Sequence, residues 1–261
     1  MKLKVIKDTV FKQSPVQALE LPEDQKVNVD AGRVFDISAY KDIGSHVRFS
    51  LENTFLKARN TWVAYQEHIE IIGDDGIKRI GKFSPNDKLP QEVRLAVPYF
   101  SQLNNRYSPA GTCNVTSVAM CLYYYGIRPA RRNKQLEDEL FELIKRNGWD
   151  RHVHDNLVKV FLEYEMYDVF KTEATWNEVK AHLANGNPVI YSGRLTGAGH
   201  IIVLRGYDET GFFVNDPYGE YFASGYRTDM TGENLHYSYN LLKSKSYTGP
   251  DTTWAHFPEK K

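Results

Sequence analysis

Up to about residue 88, apolar and polar positions alternate in short runs: Leu3-Lys4-Val5, Val27-Asn28-Val29, Phe35-Asp36-Ile37, His46–Leu51, Trp62–Tyr65 and Ile69-Glu70-Ile71. Pro15, Pro22, Gly32, Gly44 and Gly73-Asp74-Asp75-Gly76 punctuate them. A period of two predicts strands with one buried face. Many short strands with close turns predict a small all-β barrel or sandwich. The stretch Lys82–Pro90 reads as a linker, so the expected domains are 1–88 and 89–261.

Beyond the linker the period lengthens. Val115, Val118, Ala119 and Leu122 share one helical face, and Gly126 suits the position past a helix end. Leu136, Leu140, Leu143 and Ile144 mark a second helix, which Asn147-Gly148 closes. For the third, Asp155 or Asn156 is the expected cap, with Leu157, Val158, Phe161 and Leu162 facing the core. Thr175-Trp176-Asn177-Glu178 fits a capping box for a fourth, closed by Asn185-Gly186. Apolar runs then dominate. Pro188–Tyr191 and Gly199–Tyr207 read as buried strands, and Phe212–Val214 reads as the hairpin partner of the second after an Asp208–Gly211 turn. Helices followed by antiparallel strands make this half α+β.

Composition narrows the function classes only a little. The 261 residues carry 33 basic and 33 acidic side chains, which argues against nucleic acid or an anionic membrane as the partner. Neither half hides a charge, with 14 basic and 13 acidic residues up to Pro90. No apolar run is long enough to span a bilayer. The start MKLKVIKDTVFKQSP has no apolar signal core, which sets the default expectation at the cytoplasm and leaves export or envelope action open. Cys113 and Cys121 are eight residues apart on one predicted helix, about 12 Å by helical rise. A disulfide needs Cα atoms within about 7 Å, so the two do not pair and Cys121 is expected in the core.

Cys113 falls where a loop of small residues, Ser108-Pro109-Ala110-Gly111-Thr112, runs into the first helix. A thiol there sits at the positive end of the helix dipole, which favours the thiolate. His200 opens a buried strand, and Asp216 ends its hairpin partner. A thiol, then an imidazole, then a carboxylate suits a nucleophile, its base and the group that orients the base. Gln102, eleven residues before the cysteine, could join the Cys113 N–H in holding an oxyanion. Asn215 competes with Asp216, because neighbouring residues on a strand face opposite sides and only one can meet the histidine.

The pattern VPYFSQ…GTCNVTSVAM…GNPVIYS…GHIIVLRGYD…VNDPYG resembles the C39-like branch of papain-fold cysteine peptidases over roughly the last two-thirds of the chain. The resemblance implies Cys113 as nucleophile, His200 as base, Asp216 as orienter and Gln102 as oxyanion donor. Most papain-like enzymes carry Asn at the orienting position, which keeps Asn215 in play. It implies a papain-like α+β domain that cuts amide bonds in peptides, with no cofactor and no metal. The first 88 residues look like a bacterial SH3-type module, a texture that suggests attachment to a cell wall and peptidoglycan cross-bridges as substrate. The alternatives are a peptide- or wall-binding protein that keeps the fold without catalysis, and an acyltransferase on the same fold.

Other features lead elsewhere. Gly76–Lys82 has the spacing of a phosphate-binding loop, but Phe83 stands where the Mg²⁺-binding hydroxyl belongs. His152 and His154 could begin a metal site, yet no third ligand has matching spacing, and they are expected as solvent-facing loop residues or helix caps. His46, His68, His182, His236 and His256 have no partner that spacing reveals. Tyr107 and Tyr218 are candidates to line a substrate groove.

Overall fold

The computed structural model describes residues 1–261, which divide into two compact units, Met1–Leu89 and Pro90–Lys261, each with its own apolar core. The first unit is built from β1 (Lys2–Val5), β2 (Thr9–Lys12), β3 (Lys26–Val29), β4 (Val34–Asp42), β5 (His46–Leu51), β6 (Thr61–Tyr65), β7 (Ile69–Ile72) and β8 (Lys78–Ile80). They form one antiparallel sheet in the order β3-β2-β6-β5-β4-β1-β7-β8. Val29 of β3 and Ile80 of β8 stand at opposite ends of that order yet share one core. The sheet therefore curls round on itself. Strand β4 makes the bend possible: Val34 to Asp36 pair with β1, and Ile37 to Asp42 pair with β5 across a register shift after Ile37.

All six alternating runs are strands, and two further strands escape the alternation. In β2, Val10 and Phe11 are adjacent, and in β8 only Ile80 is apolar. The segment with phosphate-loop spacing contains β8 itself, and the Lys78 ammonium is held by Glu70 (2.8 Å) and Asp87 (3.0 Å).

The second unit runs β9 (Val93–Arg94), α1 (Cys113–Tyr124), α2 (Leu136–Arg146), α3 (His154–Glu163), β10 (Met166–Tyr167), β11 (Phe170–Thr175), α4 (Trp176–Ala184), β12 (Val189–Gly193), β13 (His200–Tyr207) and β14 (Gly211–Asn215). A small hairpin of β15 (Glu220–Phe222) and β16 (Gly225–Arg227) follows, then β17 (Leu235–Ser238), α5 (Tyr239–Lys245), β18 (Thr252–His256) and β19 (Glu259–Lys260). The main sheet is antiparallel, ordered β11-β18-β12-β13-β14-β17, with β9 added against the far end of β13. Gly206 permits that addition, because a Cβ there would lie 2.0 Å from the Val93 carbonyl oxygen. Helix α1 lies on β13, and its Ser117 hydroxyl donates to the Ile201 carbonyl (3.2 Å).

Thr175 and Glu178 form the reciprocal capping box at the start of α4. The start of α3 differs from expectation. It begins at His154 after Val153 with no side-chain cap, and Asp155 lies within the first turn, where its charge suits the dipole. Its buried stripe is Leu157, Val160 and Phe161, while Val158 is half-buried and Leu162 is exposed. A sequence window cannot choose between apolar stripes one residue apart when five of seven positions from 156 to 162 invite either.

Candidate active site

Loop and helix cooperate to present Cys113. Asn105 is buried, and its amide donates to the hydroxyls of both Thr112 and Thr116 (2.9 Å each). Thr116 in turn donates to the Thr112 carbonyl (2.8 Å). These bonds hold the last loop residue against the first turn of α1, so the half-buried Cys113 opens the helix in a fixed direction. Cys121 lies fully buried on the same helix, and burial pushes its thiol well up.

His200 is the first residue of β13 and is only 3% exposed. Its Nε2 is 2.7 Å from Asp216 Oδ1, which leaves Nδ1 for the hydrogen bond with Cys113. Burial alone would raise the Cys113 pKa and lower that of His200. For the cysteine, the hydrogen bond and charge of His200, with the Ile201 N–H, outweigh burial and bring the thiol below its ordinary value. For the histidine, the Asp216 carboxylate and the Cys113 sulfur outweigh it and raise the imidazole well above its usual range. The favoured state of the pair is thiolate with imidazolium.

Asp216 is fully buried, and four donors hold it. Oδ1 accepts from His200 and from the Tyr218 N–H (3.0 Å), and Oδ2 accepts from the Tyr226 hydroxyl (2.9 Å) and the Tyr237 hydroxyl (3.1 Å). Tyr226 stands on β16, where its ring meets His200 edge-on at 5.2 Å between centroids. Asn215, next to Asp216 in the chain, faces the other way. The Asn215 amide donates to the Val97 and Pro98 carbonyls (3.0 and 3.2 Å) and accepts from the Asn234 N–H (3.1 Å), stapling the incoming chain to the end of β14. Of the two, Asp216 alone contacts His200. Gly232 lets the backbone close over Asp216, since a Cβ there would sit 1.8 Å from the Asp216 carbonyl oxygen.

Gln102 is buried at the rim of the same cleft as Cys113 and His200. Its Nε2 donates one hydrogen to the Pro109 carbonyl (2.8 Å), and its N–H bonds the Pro217 carbonyl (2.9 Å). Backbone and side chain thus each anchor the residue by one bond, and its Oε1 is buried with no hydrogen-bond partner within the chain. The cleft encloses about 610 Å³ and includes Tyr218, Tyr247 and Trp254 in its walls. Tyr107 does not reach it. That ring stacks on Phe141 and its hydroxyl bonds Glu142 (2.8 Å).

Of the two histidines expected in solvent-facing loops or caps, His152 meets the expectation and His154 departs from it. Both border the cleft, but His152 is exposed and bonds Asp150 and Arg151, whereas His154 is half-buried and bonds the fully buried His256 (2.8 Å). His256 bonds the buried Asp168 (2.7 Å). No spacing rule links residues 154, 168 and 256, and they meet where α3 packs on β11 and β11 pairs with β18.

A family model, the Peptidase_C39 like family, matches residues 94–247. Among solved structures, a Bacillus anthracis chain described as a C39-like peptidase is 19% identical at a TM-score of 0.44, covering 66% of this chain and 99% of the other. A double glycine motif protease from an AMS/PCAT transporter, in complex with the leader peptide, is 17% identical at 0.42, with the same coverage of 66% and 99%. No curated protein sequence matches the chain.

Proposed function

Because the chain belongs to the Peptidase_C39 like family, we propose that it is a cysteine peptidase with Cys113, His200 and Asp216 as its catalytic triad. The observation that carries this is one unbroken hydrogen-bonded line, from a thiol at a helix N-terminus through a buried imidazole to a four-donor carboxylate, opening on a cleft. The Cys113 thiolate attacks the scissile carbonyl carbon, and the carbonyl electrons move onto oxygen. The Cys113 N–H and the Gln102 amide receive that oxyanion. The His200 imidazolium gives its proton to the departing amine as the C–N bond breaks, leaving a thioester on Cys113. Neutral His200 then takes a proton from water as that water attacks the thioester carbonyl, and the C–S bond breaks to release the acid and restore the thiolate–imidazolium pair. Asp216 holds the ring in place and stabilises its positive charge.

The substrate is proposed to be a peptide. The N-terminal unit lies outside the matched residues and is proposed as a module that attaches the enzyme to its target, an analogy of arrangement alone. A fluorogenic peptide library tests the peptidase assignment. Cleavage by the native protein that disappears in Cys113→Ala supports it. A native protein whose Cys113 is alkylated rapidly at pH 6 but that cleaves no member, and instead acylates an added amine, assigns acyl transfer. Neither rapid alkylation nor cleavage leaves a binding protein.

A further inference from the structure

The cleft has a second ordered chain of polar side chains that the peptidase mechanism leaves unused. His154 opens α3, and its Nδ1 is 2.8 Å from His256 Nε2, whose Nδ1 is 2.7 Å from Asp168 Oδ2. His256 and the Asp168 side chain are fully buried, and His154 is stacked on Phe170 with ring centroids 4.2 Å apart and planes 5° apart. The His154 ring is therefore fixed in direction. Its remaining nitrogen, Nε2, has no partner within the chain, and the ring borders the cleft. The reacting end is close by, because the Asn114 amide, next to Cys113, donates to the Arg151 carbonyl just before α3 (2.9 Å).

We propose that His154 is a substrate-binding residue of this cleft, whose Nε2 accepts a hydrogen bond from a backbone N–H of the peptide bound across Cys113. The polarity follows from the relay. The Asp168 carboxylate accepts the His256 Nδ1–H, so with both rings neutral His256 Nε2 accepts from His154 Nδ1–H, and His154 Nε2 is left as a lone pair. Burial is the main cause that lowers the His154 pKa to about 4, and any charge on His256 acts in the same direction, so the His154 ring is neutral at neutral pH. A neutral acceptor matches a neutral N–H rather than a cation. The lining around Cys113, His154 and His200 agrees, since it contains no Asp, Glu, Lys or Arg side chain, and Arg194 and Lys245 line the adjoining hollow beyond Thr196 and Tyr247. The part of the cleft beside His154 thus suits main chain. A backbone group held at a fixed point sets which peptide bond lies over the sulfur.

This inference rests on the cysteine peptidase assignment, and its test separates the two. The probes are N-acetyl-tetraalanyl chloromethyl ketone and four analogues, each with one backbone nitrogen methylated. The thiolate displaces chloride, so alkylation of Cys113 reports binding without turnover. Each rate is divided by that of iodoacetamide on the same protein, which cancels changes in the thiol. In the native protein, methylation at one position should slow labelling on the order of three- to tenfold, the worth of one net hydrogen bond. In His154→Asn, whose amide can keep the bond to His256 but does not reach the Nε2 position, that sensitivity should vanish. In His154→Gln, whose amide reaches the Nε2 position, it should persist in part. A native protein indifferent to every methylation overturns the inference, as does a sensitivity unchanged in His154→Asn. Failure of the peptidase assignment shows separately, as a Cys113 that iodoacetamide labels no faster than an ordinary thiol.

Discussion

At the scale of single residues, the decisive contest is between burial and pairing. Burial opposes both charges of the Cys113–His200 pair, yet each group's partners reverse the sign. The thiolate should therefore persist at pH values below the ~8.5 of a free cysteine. Iodoacetamide labelling of Cys113, followed by peptide mapping across pH, should show its inflection below that value. In His200→Ala the partner is gone while burial remains, so the inflection should move to or above the free value. Labelling that favours Cys121 would contradict the assignment, because a fully buried thiol of raised pKa is a poor nucleophile. Tyr226 makes a subtler case. Its hydroxyl contributes one of four hydrogen bonds to Asp216, so Tyr226→Phe should lower kcat/KM about three- to tenfold, the equivalent of roughly 1 kcal/mol. The effect should fall in kcat, since the hydroxyl stabilises the carboxylate that steadies His200 and does not itself bond the peptide.

At the scale of elements, the site is set by where strands end. His200 opens β13 and Asn215 closes its partner β14, so Asp216 stands one residue beyond the ladder, turned toward the histidine. Alternation explains why Asn215 and Asp216 divide their work, one stapling the Val97-Pro98 segment and the other holding His200. Asn215→Ala would leave the Val97 carbonyl without that donor in a buried setting. Urea denaturation should show a loss of about 1–3 kcal/mol, the cost of a buried polar group left unpaired. The inflection of Cys113 labelling should stay where it is in the native protein, whereas Asp216→Ala should move it. That contrast separates a staple from an orienter.

At the scale of the molecule, each of the two units has its own apolar core. A chain of 90–261 should accordingly fold alone and give a cooperative thermal transition. Its Cys113 labelling profile should match that of the whole chain, since every residue bonded to Cys113, His200, Asp216 and Gln102 lies beyond Pro90. A fragment that is unfolded by circular dichroism, or whose thiol titrates as a free cysteine, would contradict this.

The chain's own order of residues already determined the strand-rich first unit, the helix behind Cys113, the capping box at Thr175 and the hairpin that carries His200 and Asp216. Each is a local effect, in which periodicity, a cap or a turn acts within a dozen residues. It also brought Cys113, His200, Asp216 and Gln102 forward as candidates, through loop chemistry and position at strand ends. What it could not determine is whatever joins distant segments. Tyr226 and Tyr237 reach Asp216 because a small hairpin folds back over the end of β14. His154, Asp168 and His256 meet because α3 packs on β11 and β11 pairs with β18, some 80 residues further along the chain. Such contacts depend on strand order and close packing, which no window of sequence contains, and the tertiary structure alone decided them.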